Sequence, residues 1–229
     1  MIEILLVDNH CLAVNKPAGM LSQGDATGDS SVVDVVADYL KRTYAKPGNV
    51  YVGLVHRLDR PTSGVVLVAR TSKAAARLSE QFRDGLVEKT YLAVAEGSWP
   101  DDEGEWSDWV IKDQGTNIVS TTQPSTPGAQ RANLAFRVIA RSANRVTFEL
   151  RPTTGRGHQL RVQLASRGLP IVGDRKYGAT SRLIALDGQP RIALHAARLG
   201  FKHPTRPEHP TIEASLPADW PVGERGDTR

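Results

Sequence analysis

The stretch YVGLVHRLDRPTSGVVLVAR constrains this chain more tightly than any other part of it. Two apolar runs with the composition of buried strands, residues 51–55 and 65–70, are interrupted by a compact polar segment. Pro61 and Gly64 break any hydrogen-bonded ladder there, so Asp59 must ride a tight connection at the mouth of a sheet. The cluster comprises His56, Arg57, Asp59 and Arg60. A carboxylate flanked by two arginines has its charged form favoured, which suits a nucleophile or a base. An ion-paired turn aspartate is the plainer reading of the same residues.

The remaining pattern predicts a sheet protein with a few helices. Strands are expected at residues 4–8, 11–15 and 90–95. Ser31 stands three residues before Asp34 at the head of VVDVVADYLKRTY, the signature of a capped helix. SKAAARLSEQFRD predicts a second helix, with Ser72 as its cap and Gly85 as its stop. Residues 97–128 carry five acids between Asp101 and Asp108 and then the polar run TTQPSTPG. They read as an acidic and polar excursion from the main sheet, a hairpin plus a loose connection. NLAFRVIA and RVTFELRP alternate as an antiparallel pair, and GHQLRVQLASRG reads as a helix closed by Gly168. The expected class is α+β, a mixed, largely antiparallel sheet with flanking helices.

Composition narrows the function classes. At 229 residues with 40% hydrophobic and 24% charged positions, the chain has globular proportions. A single cysteine, Cys11, excludes a disulfide scaffold or a site of several thiolates. No apolar run approaches the roughly 20 residues of a membrane helix, so a cytoplasmic protein with no membrane partner is expected. The net charge of +4 is unevenly spread. Between Arg131 and Arg182, ten arginines and one lysine face only Glu149 and Asp174, a local net of +9. Such a stretch suggests a basic face for a polyanion, or else a solvated arginine-rich surface.

A second polar segment, RPTTGRGHQLRVQLASRGLPIVGDRKYG, places His158, Gln159 and Arg161 near a helix start. They could meet a phosphate, a carboxylate or a base edge. GxSxG, GxxxxGKS/T and GxGxxG are all missing from the sequence, which removes the usual support for hydrolase, P-loop and dinucleotide readings. The histidines lack metal-ligand spacing such as HExxH, so no metal is expected.

Taken together these segments resemble the RluA-type pseudouridine synthases, enzymes that isomerise uridine in structured RNA. HRLDRPTSG resembles the family signature HRLDxxTSG, and EKTYLAVAEG its K-x-Y segment, with Lys89 and Tyr91. TGRGHQLRVQLASRGLPIVGDRKYG is similar to GRxHQIRVHLA…GxPIxGDxxYG, AVNKPAGM to the NKPxG element, and IALHAARLGFKHP to the closing LHA…HP element. The likeness runs in order from about Ile2 to Trp220. Gln163 and Leu169 stand where the family often has histidine. The catalytic motifs begin near residue 11, as in minimal members without an S4-like domain. The resemblance implies a single catalytic domain over residues 1–222 with a central active-site cleft, and a frayed tail at 223–229.

The resemblance also assigns roles. Asp59 is implied as the catalytic aspartate, acting by attack on the sugar or through a glycal-forming route. Arg161 is implied to pair with Asp59, with a phosphate contact as the alternative. Tyr91 is implied to stack on the target uracil or to remove the C5 proton, and Leu194 to form an apolar wall against the base. His56, Arg57, Lys89, Arg156 and His158 are the candidate substrate contacts. Isomerisation involves no net redox change, so no cofactor is expected; the implied partner is structured RNA, tRNA or rRNA, bound by a monomer. A non-catalytic RNA-binding protein on the same fold is the alternative, and the set Asp59, Tyr91 and Arg161 argues against it. A nucleoside glycosidase would want a second catalytic carboxylate in a comparably broken motif.

Overall fold

The computed structural model describes residues 2–45 and 47–221; the expected tail at 223–229 lies outside them. The chain runs β1 (Glu3–Val7), β2 (Cys11–Lys16), α1 (Val32–Thr43), β3 (Gly53–Leu54), β4 (Ser63–Ala69) and α2 (Ser72–Arg83). It continues β5 (Glu88–Glu96), β6 (Glu103–Lys112), β7 (Val119–Thr122), β8 (Gln130–Ser142), β9 (Arg145–Pro152) and α3 (Gln159–Ala165). A single 3-10 turn (Arg175–Tyr177), β10 (Leu194–Gly200) and β11 (Thr211–Glu213) complete it. Two compact units partition these elements: residues 1–88 with 196–217, and residues 89–195 with those from 218 onward. The α+β class and the largely antiparallel pairing are as the sequence led us to expect.

In the first unit β2 pairs antiparallel with β1 on one side and β4 on the other. Every residue of β4 is buried, as its unbroken apolar run requires. Cys11, Ala13, Val65, Leu67, Leu78, Phe201 and Ile212 form the core. Gly64, the second residue of β4, has φ +117, and a Cβ there would collide with the backbone of Ala196. That close approach explains the glycine that ends the polar interruption. Helix α1 starts with the expected capping box between Ser31 and Asp34, and buries Val32, Val36 and Leu40 on one stripe. Helix α2 departs from expectation by one residue. Thr71 is the cap, with extended backbone and its hydroxyl accepting the Ala74 N–H, while Ser72 is already helical.

In the second unit the strand order is β5-β9-β8-β6-β7, antiparallel throughout. Residues 97–128 contain the expected hairpin, β6 with β7, but it joins this sheet rather than leaving it. Strand β6 pairs with β8 from Glu103↔Arg137 to Val110↔Gln130, and Trp106 enters the core beside Phe136 and Phe148. The acids of the expected excursion mark exposed positions of a strand: Glu103 and Glu105 lie on the face opposite buried Trp106. Helix α3 lays Leu160 and Leu164 into the same core, together with Leu150 and Leu194. Among the described residues no helix is long and apolar enough to cross a membrane.

Candidate active site

Asp59 lies between β3 and β4, and its backbone is held from both flanks by residues 16–22. On one side, Ser22 Oγ accepts the Leu58 N–H at 3.0 Å and donates to the Leu58 carbonyl at 2.8 Å. On the other, the Arg60 carbonyl accepts from Gly19 N–H at 2.8 Å and from Lys16 Nζ at 3.2 Å. Lys16 is fully buried and also donates to the carbonyls of Pro17 and Met20, at 3.1 and 2.8 Å. Burial pushes its ammonium down to about 7, opposed by the Asp59 carboxylate. Thr62 N–H closes the turn on the Asp59 carbonyl at 3.0 Å. A buried lysine bonded to three carbonyls fixes loop geometry, because each unmade bond there would strand a polar group out of water.

The neighbours of Asp59 divide by role. His56 stacks on Phe82 with ring centroids 4.5 Å apart, and its Nε2 accepts the Leu67 N–H at 2.9 Å. That ring therefore serves the architecture of the first unit. Arg57 is exposed, and Arg60 pairs with Asp29 at 2.6 Å.

In the second unit Arg161 is 5% exposed and forms a two-point pair with Asp174, Nε to Oδ2 at 2.6 Å and Nη2 to Oδ1 at 2.8 Å. Its guanidinium carbon also lies 4.9 Å from the centre of the Tyr177 ring. His158 caps α3 with φ 51, a left-handed conformation unusual for histidine, and its Nδ1 meets the Tyr177 hydroxyl at 2.7 Å. Gln159 is buried and bonded within the unit. Its oxygen accepts from Thr154 and from the Arg156 N–H, and its amide nitrogen donates to the Asn133 carbonyl. Tyr91 is half-buried on β5 opposite Leu150 and packs on the same core cluster that contains Leu194. Lys89 donates to the Thr154 carbonyl at 3.1 Å, and burial lowers its pKa.

Much of the basic stretch is neutralised within the second unit. Arg137 and Arg151 share Glu149, Arg141 meets Asp102, and Arg167 meets Asp108. Gln163 is fully buried with its amide on Asp108, and Leu169 is 1% exposed. Arg131, Arg156, Arg175 and Lys176 remain exposed. Arg156 Nε is steadied by the Arg131 carbonyl at 3.0 Å.

Sequence reading missed four residues with a part in the site. Asp174 and Tyr177 stood in plain view in GDRKYG, but nothing in the sequence pairs either with Arg161 thirteen or sixteen positions away. Lys16 stands within the AVNKPAGM element with no role assigned to it, and Ser22 carries no sequence signal. One trio, Asp8, Cys11 and His203, has ligand-like proximity among the described residues. His203 Nε2 and Arg206 Nη2 both occupy one Asp8 oxygen, at 2.8 and 2.7 Å. Burial raises the Cys11 thiol to about 12. A protonated thiol and a guanidinium-bound carboxylate make a poor cation site.

The α+β fold is shared with solved pseudouridylate synthase domains. The human RNA pseudouridylate synthase domain containing 4 superposes with a TM-score of 0.78 at 25% identity, over 95% of this chain and 90% of that one. Residues 10–166 match the family described as RNA pseudouridylate synthase. The RNA pseudouridine synthase YhcT of Bacillus subtilis (strain 168) is 36% identical over 221 residues, covering 95% of this chain and 70% of that protein. The ribosomal large subunit pseudouridine synthase C of Escherichia coli (strain K12) is 36% identical over 220 residues, 93% of this chain and 66% of that protein. The chain belongs to the RNA pseudouridylate synthase family. It is an isomerase acting on uridine in RNA.

Proposed function

We propose that Asp59 is the catalytic carboxylate of this isomerase and that its substrate is a uridine in structured ribosomal RNA. The reaction breaks the N1–C1′ bond, turns the uracil and joins C5 to C1′; C5 gives up a proton and N1 gains one. Asp59 acts at the sugar while the detached base stays bound. The observation that carries this role is the bracing of residues 58–60 by Lys16, Gly19 and Ser22, which fixes the backbone on both sides of one carboxylate. Such fixed placement is what a reacting group needs and a surface ion pair does not.

Arg161 supplies a fixed positive charge, and its pairing with Asp174 supports that role by setting the plane of the guanidinium. Tyr91 presents a ring to the uracil or a phenol to its C5 proton, and Leu194 gives the base an apolar wall. The exposed Arg57, Arg131 and Arg156 hold phosphates, with residues 1–222 working as one catalytic domain and as a monomer. Of the two RNA classes considered, the relatives named for the large ribosomal subunit favour rRNA over tRNA. Mapping pseudouridine in rRNA and tRNA from a deletion strain and its parent tests this. The expected result is one or a few sites lost from large-subunit rRNA; loss confined to tRNA would overturn the rRNA assignment.

A further inference from the structure

Tyr177 occupies a position that a core tyrosine has no need of. It closes the 3-10 turn whose N-cap is Asp174, with Tyr177 N–H bonded to the Asp174 carbonyl at 2.9 Å. Residues i and i+3 of such a turn eclipse, so Asp174 and Tyr177 project to one side. They meet the same guanidinium from different directions: Asp174 along its edge, Tyr177 across its face at 4.9 Å. Edge and face together fix the plane of Arg161, which an edge contact alone leaves free to hinge.

The Tyr177 hydroxyl does separate work. It accepts the Val119 N–H at 3.0 Å, the first amide of β7, and meets His158 Nδ1 at 2.7 Å. His158 is one of three non-glycine residues with positive φ among those described, and it heads the helix that carries Arg161. The hydroxyl contact holds the ring that this left-handed backbone presents.

We propose that Tyr177 is a positioning residue for both Arg161 and His158, its ring setting the guanidinium and its hydroxyl setting the imidazole. The inference rests on Arg161 acting in catalysis and His158 contacting RNA. It couples the two: an RNA group that takes hold of the His158 ring acts on the side chain that backs Arg161.

The ring and the hydroxyl can be separated by substitution. In steady-state and single-turnover assays on an rRNA transcript, Tyr177→Phe keeps the ring and loses the hydroxyl's bonds to His158 and to the Val119 N–H. It should raise KM about five- to tenfold, the worth of one hydrogen bond, and lower kcat less than threefold. Tyr177→Leu should lower kcat by roughly a further tenfold through loss of the ring–guanidinium contact. Tyr177→Phe in the His158→Ala background should add little to the KM effect of His158→Ala alone, because the hydroxyl acts on RNA binding through that ring. Should Tyr177→Leu fail to fold, which its thermal melt reports, the His158→Ala and Tyr177→Phe cycle still decides. Additive effects in that cycle, or equal kinetics for the Phe and Leu variants, would overturn the proposal. Arg161→Lys separates the two levels. Wild-type kcat in that variant overturns the catalytic reading of Arg161 itself, whereas its loss alongside an unimpaired Tyr177→Leu overturns only the positioning role.

Discussion

Arg161 and Asp174 form a two-point ion pair, 2.6 and 2.8 Å, with side chains only 5% and 1% exposed. A pair so deep is worth little in net stability, but breaking one half leaves a buried charge without a partner. Asp174→Asn should therefore cost about 3 kcal/mol or more in urea denaturation. The double variant Arg161→Met/Asp174→Leu should recover much of that stability while remaining inactive. Recovery of both stability and activity would remove Arg161 from the chemistry.

Lys16 contrasts with Arg161, because it donates to three backbone carbonyls rather than to a carboxylate. Lys16→Met should lower stability by about 2–3 kcal/mol through stranded carbonyls. At a temperature where it stays folded, kcat should fall less than about tenfold, under 1.4 kcal/mol of barrier. A large kcat loss in a fully stable variant would contradict a purely architectural role.

Glu96 makes the pH dependence of the second unit testable. Burial raises its carboxyl, but bonds from the amides and hydroxyls of Thr180 and Ser181 outweigh that and hold it at about 2. A carboxyl lowered on folding contributes stability that is present above its ordinary value of 4.5 and lost as pH falls toward 2. Glu96→Gln should destabilise by about 1–2 kcal/mol at pH 7, allowing for solvent screening. The gap to wild type should narrow below pH 4.5; a gap constant with pH would show that the carboxylate charge is not responsible.

Arg156 and Arg161 lie in one arginine-rich stretch but should respond differently to salt. Arg156 is exposed, so Arg156→Ala should flatten the plot of log RNA affinity against log salt by roughly 0.7–0.9. Arg161 is buried against Asp174, so Arg161→Lys should leave that slope unchanged. Equal slopes for Arg156→Ala and wild type would remove Arg156 from the phosphate contacts.

What could be read from the sequence followed from whether a residue's partners were local. Ser31 and Asp34 announce α1 because a capping box closes within one turn. The apolar run of β4 and the turn that carries Asp59 are likewise local patterns. Strand β6 was hidden because its exposed positions carry most of the acids, and Trp106 alone marks the buried face of that acidic half. Thr71 and Ser72 offer the same hydroxyl chemistry, and only the backbone angles distinguish cap from first helical residue. Asp174, Tyr177 and Lys16 escaped because their roles arise from contacts made through the fold. A lysine ending an apolar strand gives no sign that three carbonyls await it. The family motifs pointed to Arg161, but the carboxylate found on its edge lies thirteen residues on, across a turn whose geometry the sequence does not state.

The central claim is that Asp59 carries the chemistry. Single-turnover pseudouridine formation on an unmodified rRNA transcript, wild type against Asp59→Asn, tests it most directly. The two side chains are nearly isosteric, so the braced turn and RNA binding should persist. Product formation should fall by roughly a thousandfold or more, while affinity for the transcript stays within about threefold. An Asp59→Asn enzyme that binds the transcript and forms pseudouridine at the wild-type rate would contradict the claim.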